Sequence, residues 1–187
     1  MNVDRPLAIQ FCGLGGQGVI LSAIVLGNAV VVSRGLNAMQ TQSFGSDARG
    51  GECQAQIIVS ASPLGSPVAE QVDVLVAMSQ QGLERYLPCL RPGGLLLLMS
   101  GMVEVPARED VTVLEVPALH LAQQHGAPIA ANMAMVGVLV GATGVVAESE
   151  LLDAVGNCVP PAFREMDAAV AREGVAWARR PQARAGG

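Results

Sequence analysis

Over 187 residues the chain carries 51% hydrophobic and 14% charged side chains, with a net charge of −5. That is enough apolar material for one sizeable core, and too little positive charge for a nucleic-acid footprint. Lysine is absent: all eleven basic residues are arginines, which excludes a Schiff-base lysine, a Walker-type phosphate lysine and a catalytic ammonium.

In chain order, Leu7 to Cys12 reads as a short buried strand, followed by the glycine turn Gly13-Leu14-Gly15-Gly16-Gln17-Gly18. Val19 to Val32 is apolar and long enough for a helix, ended by Arg34 and a C′ glycine at Gly35. Asn37 to Gln42 is expected as a second strand, Ser43 to Gly51 as a loop, and Gln54 to Ser60 as a third strand. The stretch from Ser62 to Pro67 is a turn-rich connector. Val72 to Met78 is a buried strand, Gln80 to Leu87 a short helix, Arg91 to Gly94 a turn, and Leu95 to Met99 and Val111 to Val116 two further strands. After Pro117 the pattern turns helical: Ala118 to His125, Ala130 to Ala142, Ser149 to Val155 and Pro161 to Ala178. Buried strands separated by helices predict an α/β fold, Rossmann-like and three-layered, with a largely parallel sheet and a helical C-terminal part. One domain is expected over residues 1–178, with 179–187 as a disordered or partner-bound tail. Gly126 to Ala147 is free of charge and long enough to span a membrane, but Pro128, Asn132 and its glycines favour a buried helix.

Strand, glycine turn and helix form the opening of a nucleotide-binding unit, with free N–H groups at the helix start that favour an anion. Gly13, Gly15 and Gly18 match G-x-G-x-x-G. The acidic residue that would hold a ribose, about 20 residues on, is missing; from Arg34 to Phe44 there is no carboxylate. Arg34 suits a 2′-phosphate in principle and a cap on the first helix better. The run Leu90 to Leu96 has the look of a methyltransferase turn, but without the acidic partner it reads as a turn into a buried strand. His120 and His125 are five apart and share no face as a metal pair would. The cysteines, Cys12, Cys53, Cys89 and Cys158, show no C-x-x-C, so this chain alone is expected to bind neither an iron–sulfur cluster nor structural zinc. With no leader-like segment and no disulfide framework, a reducing cytoplasm is expected. In the loop from Ser43 to Gly51, Arg49 sits before Gly50 and Gly51. Its fork suits a carboxylate or phosphate; an ion pair with Asp47 or Glu52 is the plainer role.

Gly13 to Val19, then Gln42-Ser43-Phe44-Gly45 with Arg49-Gly50-Gly51, and later Ala131-Asn132-Met133 followed by Gly137, resemble the gamma subunit of 2-oxoacid:ferredoxin oxidoreductases. The resemblance covers roughly residues 7 to 170. It departs at Phe44 and Ser46, where relatives often carry tyrosine and proline, and in the connector after Ser60. It implies an accessory, non-catalytic subunit of an enzyme that converts a 2-oxoacid and CoA to acyl-CoA and CO2, passing electrons to an acceptor. Thiamine diphosphate, Mg2+ and iron–sulfur clusters are then held by partner chains, and CoA is bound at the interface. The binding residues it implies are Gly13, Gly15, Gly16, Gln17, Gly18, Ser43, Arg49, Gly50, Gly51 and Asn132. A free-standing nucleotide-dependent oxidoreductase and a ligand-free assembly module are the alternatives. The apolar surplus, with Gly137 and Gly141 as a flat helix face, predicts an obligate interface.

Overall fold

A computed structural model describes residues 5–45 and 51–180. The sheet has six strands: β1 (Leu7–Leu14), β2 (Asn37–Phe44), β3 (Glu52–Ser60), β4 (Val72–Ala77), β5 (Leu90–Met99) and β6 (Thr112–Val116). The helices are α1 (Val19–Asn28), α2 (Gln80–Tyr86), α3 (Ala118–Gln124), α4 (Ala131–Thr143), α5 (Glu148–Cys158) and α6 (Arg164–Ala178). A π-helical turn, Ala29–Ser33, extends α1, and Gly35 closes it with a positive φ of 63°.

Strand order is β2-β3-β1-β4-β5-β6. β1, β4, β5 and β6 pair in parallel, and β3 runs against both β1 and β2. The sheet is thus mostly parallel, with one reversed strand wedged between β1 and β2. Side chains alternate across β1: Ile9 and Phe11 enter the larger core under α1 and α3 to α6, while Ala8 and Cys12 enter the smaller core under α2. A strand buried on both faces reads as an unbroken apolar run, which explains its legibility. Gln10 is the exception, and it is satisfied by the glutamines of β3, donating to Gln54 Oε1 at 2.7 Å and accepting from Gln56 Nε2 at 3.3 Å.

Three expectations are revised. The turn at Arg91 to Gly94 is a bulge inside β5: Leu90 pairs with Val72 and Leu95 with Val74, so β5 has more residues than its partner there. β2 continues through Ser43 and Phe44, because Glu52 and Cys53 extend the opposite strand and pair with it. The Gly137 and Gly141 face is not a free surface. It packs against α6, where a Cβ at Gly137 would collide with the Ala171 carbonyl and one at Gly141 would lie 2.8 Å from the Val175 carbonyl. α4 itself is buried along its first ten residues. Among the described residues no helix is long and apolar enough to cross a membrane.

Candidate functional site

β1 connects through α1 toward one side of the sheet, and β4 through α2 toward the other. Their adjacent C-terminal ends therefore open a crevice at the point where the connections diverge, the usual ligand position in such sheets. The glycine turn forms one lip of it. Gln17 holds the turn in shape: its Oε1 accepts from the Leu14 N–H at 2.7 Å and its Nε2 donates to the Met78 carbonyl at 3.0 Å. Its amide is committed to the turn, and Gly13 makes room for it, since a Cβ there would sit 2.6 Å from Gln17 Oε1.

Gly18 stands at the N-cap of α1 with φ 75°, and its carbonyl accepts from Ser22 Oγ at 3.0 Å and from Asn132 Nδ2 at 3.3 Å. Asn132, in the first turn of α4, thus reaches across to the glycine turn. A Cβ at Gly18 would collide with it. Gly16 forms the exposed crest and borders two clefts that also share Asn132 and Ile129.

The Gly15 N–H donates to the Gly51 carbonyl at 2.8 Å, and the Gly45 N–H to the Glu52 carbonyl at 2.6 Å. These bonds fix both ends of the β2–β3 hairpin tip, one of them directly beside the glycine turn. Arg49 and Gly50 lie outside the described residues. The structure thus brings together Gly13, Gly15, Gly16, Gln17, Gly18, Gly51 and Asn132. Ser43 is set apart, since it pairs with Gln54 on β3, which in turn pairs with Cys12.

Ser43 instead lines a small polar pocket with Phe44, Glu52, Gln54, Arg85 and Tyr86. Arg85 Nη1 meets Glu52 Oε2 at 2.8 Å, while Glu52 Oε1 is buried without a hydrogen-bond partner among the described residues. Burial, aided by the Glu52 charge, pushes the Tyr86 phenol up to about 12. Burial, with Glu52 adding, likewise pushes the Cys12 thiol up. Glu52 and Asp167 (a buried carboxylate on α6) are the polar groups that sequence reasoning passes over. Glu52 enters it only as a possible partner of Arg49, and nothing in the pattern of α6 marks Asp167.

Arg34 ends its own helix as the C-cap residue, its backbone N–H on the Val31 carbonyl, and its side chain is engaged away from the crevice. Its Nη1 donates to the Val145 carbonyl at 2.8 Å, and its Nε lies 3.6 Å from Glu150, tying α1 to the α4–α5 junction. The ribose position is also displaced: β3, not β2, neighbours β1, so the end of β2 lies two ladder spacings, roughly 10 Å, from the glycine turn's strand. His120 and His125 are exposed, and no group of three potential metal ligands occurs among the described residues.

Residues 8–177 match the family described as pyruvate ferredoxin/flavodoxin oxidoreductase. The chain belongs to this family. Within the oxidoreductase family it is 40% identical over 164 residues to 2-oxoglutarate synthase subunit KorC of Methanothermobacter marburgensis, spanning 84% of this chain and 88% of that one. The gamma subunit of a keto/oxoacid ferredoxin oxidoreductase from Geobacter sulfurreducens superposes with a TM-score of 0.83 at 32% identity, over 93% of this chain and 97% of that one. A 2-oxoglutarate:ferredoxin oxidoreductase from Magnetococcus marinus, with 2-oxoglutarate, coenzyme A and succinyl-CoA bound, shares the fold at a TM-score of 0.83 and 21% identity, over 93% of this chain and 31% of that one. The oxidoreductase fold thus occurs both as a chain of this size and as about a third of a longer one.

Proposed function

We propose that the chain is the gamma-type accessory subunit of a cytoplasmic 2-oxoacid:acceptor oxidoreductase that forms acyl-CoA, with ferredoxin the expected acceptor class. Thiamine diphosphate, Mg2+ and iron–sulfur clusters belong to its partner chains, and this chain completes the CoA site. The observation that carries the CoA part is the bond from Gly15 to Gly51. It brings Gly51, two residues after Arg49 in the chain, against the glycine turn that leads into α1. An arginine fork and a helix N-terminus together favour an anionic group, here a CoA phosphate. Gly13, Gly15, Gly16, Gln17 and Gly18 supply the backbone of that site, and Arg49, Gly50 and Gly51 the hairpin side. Asn132 braces the turn, and Ser43 lies at the outer margin toward the partner. The chain folds as one domain to residue 178.

The test is purification through a tag on this chain from its native host. Thiamine-binding and iron–sulfur chains should co-purify, and the complex should reduce a viologen dye when given a 2-oxoacid and CoA. 2-Oxoglutarate is the first oxoacid to assay, because a 40% identical relative is named for it. A chain that purifies alone with bound nucleotide and oxidoreductase activity overturns the proposal.

A further inference from the structure

Beside the glycine turn, a cleft of about 270 Å³ runs from Gly16 and Gly18 to the start of α6. Its apolar walls come from Leu21, Ile129, Val159 and Phe163. Two polar side chains also line it, Asn132 at 4% exposure and Asp167 at 7%. Asn132 gives an amide N–H to the Gly18 carbonyl, which leaves its own carbonyl oxygen as an acceptor. Asp167 has no ion-pair or side-chain hydrogen-bond partner among the described residues, and desolvation alone drives its carboxyl upward. Arg164, three residues before it, has its Nε on the Val159 carbonyl at 2.8 Å.

A carboxyl on a side chain only 7% exposed is poorly hydrated and gains from a donor supplied in the cleft, and the first turn of α6 offsets only part of that desolvation. The cleft therefore calls for a ligand with an apolar body, hydrogen-bond donors and no negative charge. It is also smaller than the roughly 300–1,000 Å³ that encloses a whole drug-sized ligand, so it fits an arm rather than an entire cofactor.

CoA has one such part. Its pantetheine arm is uncharged, carries a dimethyl-substituted carbon, and presents amide N–H groups and a hydroxyl. Its nucleotide half is phosphate-rich and would meet an unscreened carboxylate here. Resting on the CoA reading above, we infer that this cleft takes the pantetheine arm, with Asp167 and Asn132 accepting from its donors and Asp167 turning the phosphates away. The crest of the glycine turn then divides the ligand. Phosphate lies toward Gly15 and Gly51, and the arm lies toward α6.

The test is isothermal titration of the full chain, alone and in its reconstituted complex, with CoA, pantetheine and adenosine 3′,5′-bisphosphate. Pantetheine should bind saturably. Asp167→Leu should weaken pantetheine and CoA tenfold or more, Asp167→Asn no more than about threefold, and neither should weaken the bisphosphate. Ile129→Ser, at a residue 77% exposed and so safe for folding, should weaken pantetheine severalfold. If CoA binds while pantetheine binding is absent, or is indifferent to both Asp167→Leu and Ile129→Ser, this inference falls and the CoA reading stands. If CoA binds neither the chain nor the complex, both fall.

Discussion

At the scale of single residues, the site depends on a few groups whose roles differ sharply. Gly18 combines a positive φ with a neighbour, Asn132, that leaves no space for a Cβ. Gly18→Ala is expected to cost about 2–3 kcal/mol of stability, a fall of roughly 5–10 °C in Tm by calorimetry. Arg49 is a different case, because the role proposed for it rests on direction rather than charge. Arg49→Lys in the assembled enzyme should raise the apparent KM for CoA about tenfold, equivalent to about 1.4 kcal/mol, and leave decarboxylation nearly unchanged. An unchanged CoA constant would return Arg49 to an ion pair within its loop. Tyr86 supplies a pH signature. Its phenol ionises near 12 in the folded chain, against about 10 when unfolded, so the folded state holds the proton longer. Stability should therefore fall as pH rises from about 10 toward 12, and Tyr86→Phe should make that fall shallower in melting curves taken at pH 9, 10 and 11.

At the scale of elements, the contact between α4 and α6 sets how closely the C-terminal layer packs. Gly137, Gly141 and Gly174 let the two backbones approach to distances no side chain would permit, with Gly174 set against the Ala134 carbonyl. Gly137→Ala should destabilise by about 3 kcal/mol, since backbone on both sides cannot yield cheaply. Gly156 in α5 makes the contrast: nothing lies near the position its Cβ would take. Gly156→Ala should stabilise by about 0.5–1 kcal/mol through helix propensity and a less free unfolded chain. Both variants are read in one denaturant series, and a similar effect at the two glycines would refute this account of the helix contact. The hairpin of β2 and β3 works at the same scale. The Gly45 N–H closes on the Glu52 carbonyl, and the Gly51 carbonyl accepts from Gly15, so the start of β3 meets the glycine turn across a long span of sequence.

At the scale of the molecule, three features bear on whether the chain acts alone. Cys12 is held as a thiol, the histidines are exposed, and no lysine exists. Purified alone, it should contain no stoichiometric iron, flavin or thiamine and should not oxidise 2-oxoacids; stoichiometric iron on metal analysis would refute this. It also displays large apolar side chains, among them Val32, Phe44 and Ile129. With the Gly137 face sealed inside the fold, exposed surface of this kind is what remains for association. The isolated chain should self-associate on size-exclusion chromatography and become monodisperse within the complex; a stable, well-behaved monomer would count against an obligate interface.

The sequence by itself determined the fold class, the order of elements and the family, because buried strands, a glycine turn and amphipathic helices are local patterns that each imprint on neighbouring residues. It also showed that the chain has no lysine and no C-x-x-C, since absent residue types need no structure to be absent. Tertiary structure decided the rest. The reversed β3 between β1 and β2, which removes the ribose position, follows from long-range pairing that no local period encodes. The inward face of Gly137, the bulge in β5 and the true partners of Arg34 are contacts between segments far apart in the chain. Asp167 was illegible for the same reason. An aspartate in the first turn of a helix ordinarily faces water, and only the packing of α6 beside the glycine turn leaves it 7% exposed on the wall of a cleft.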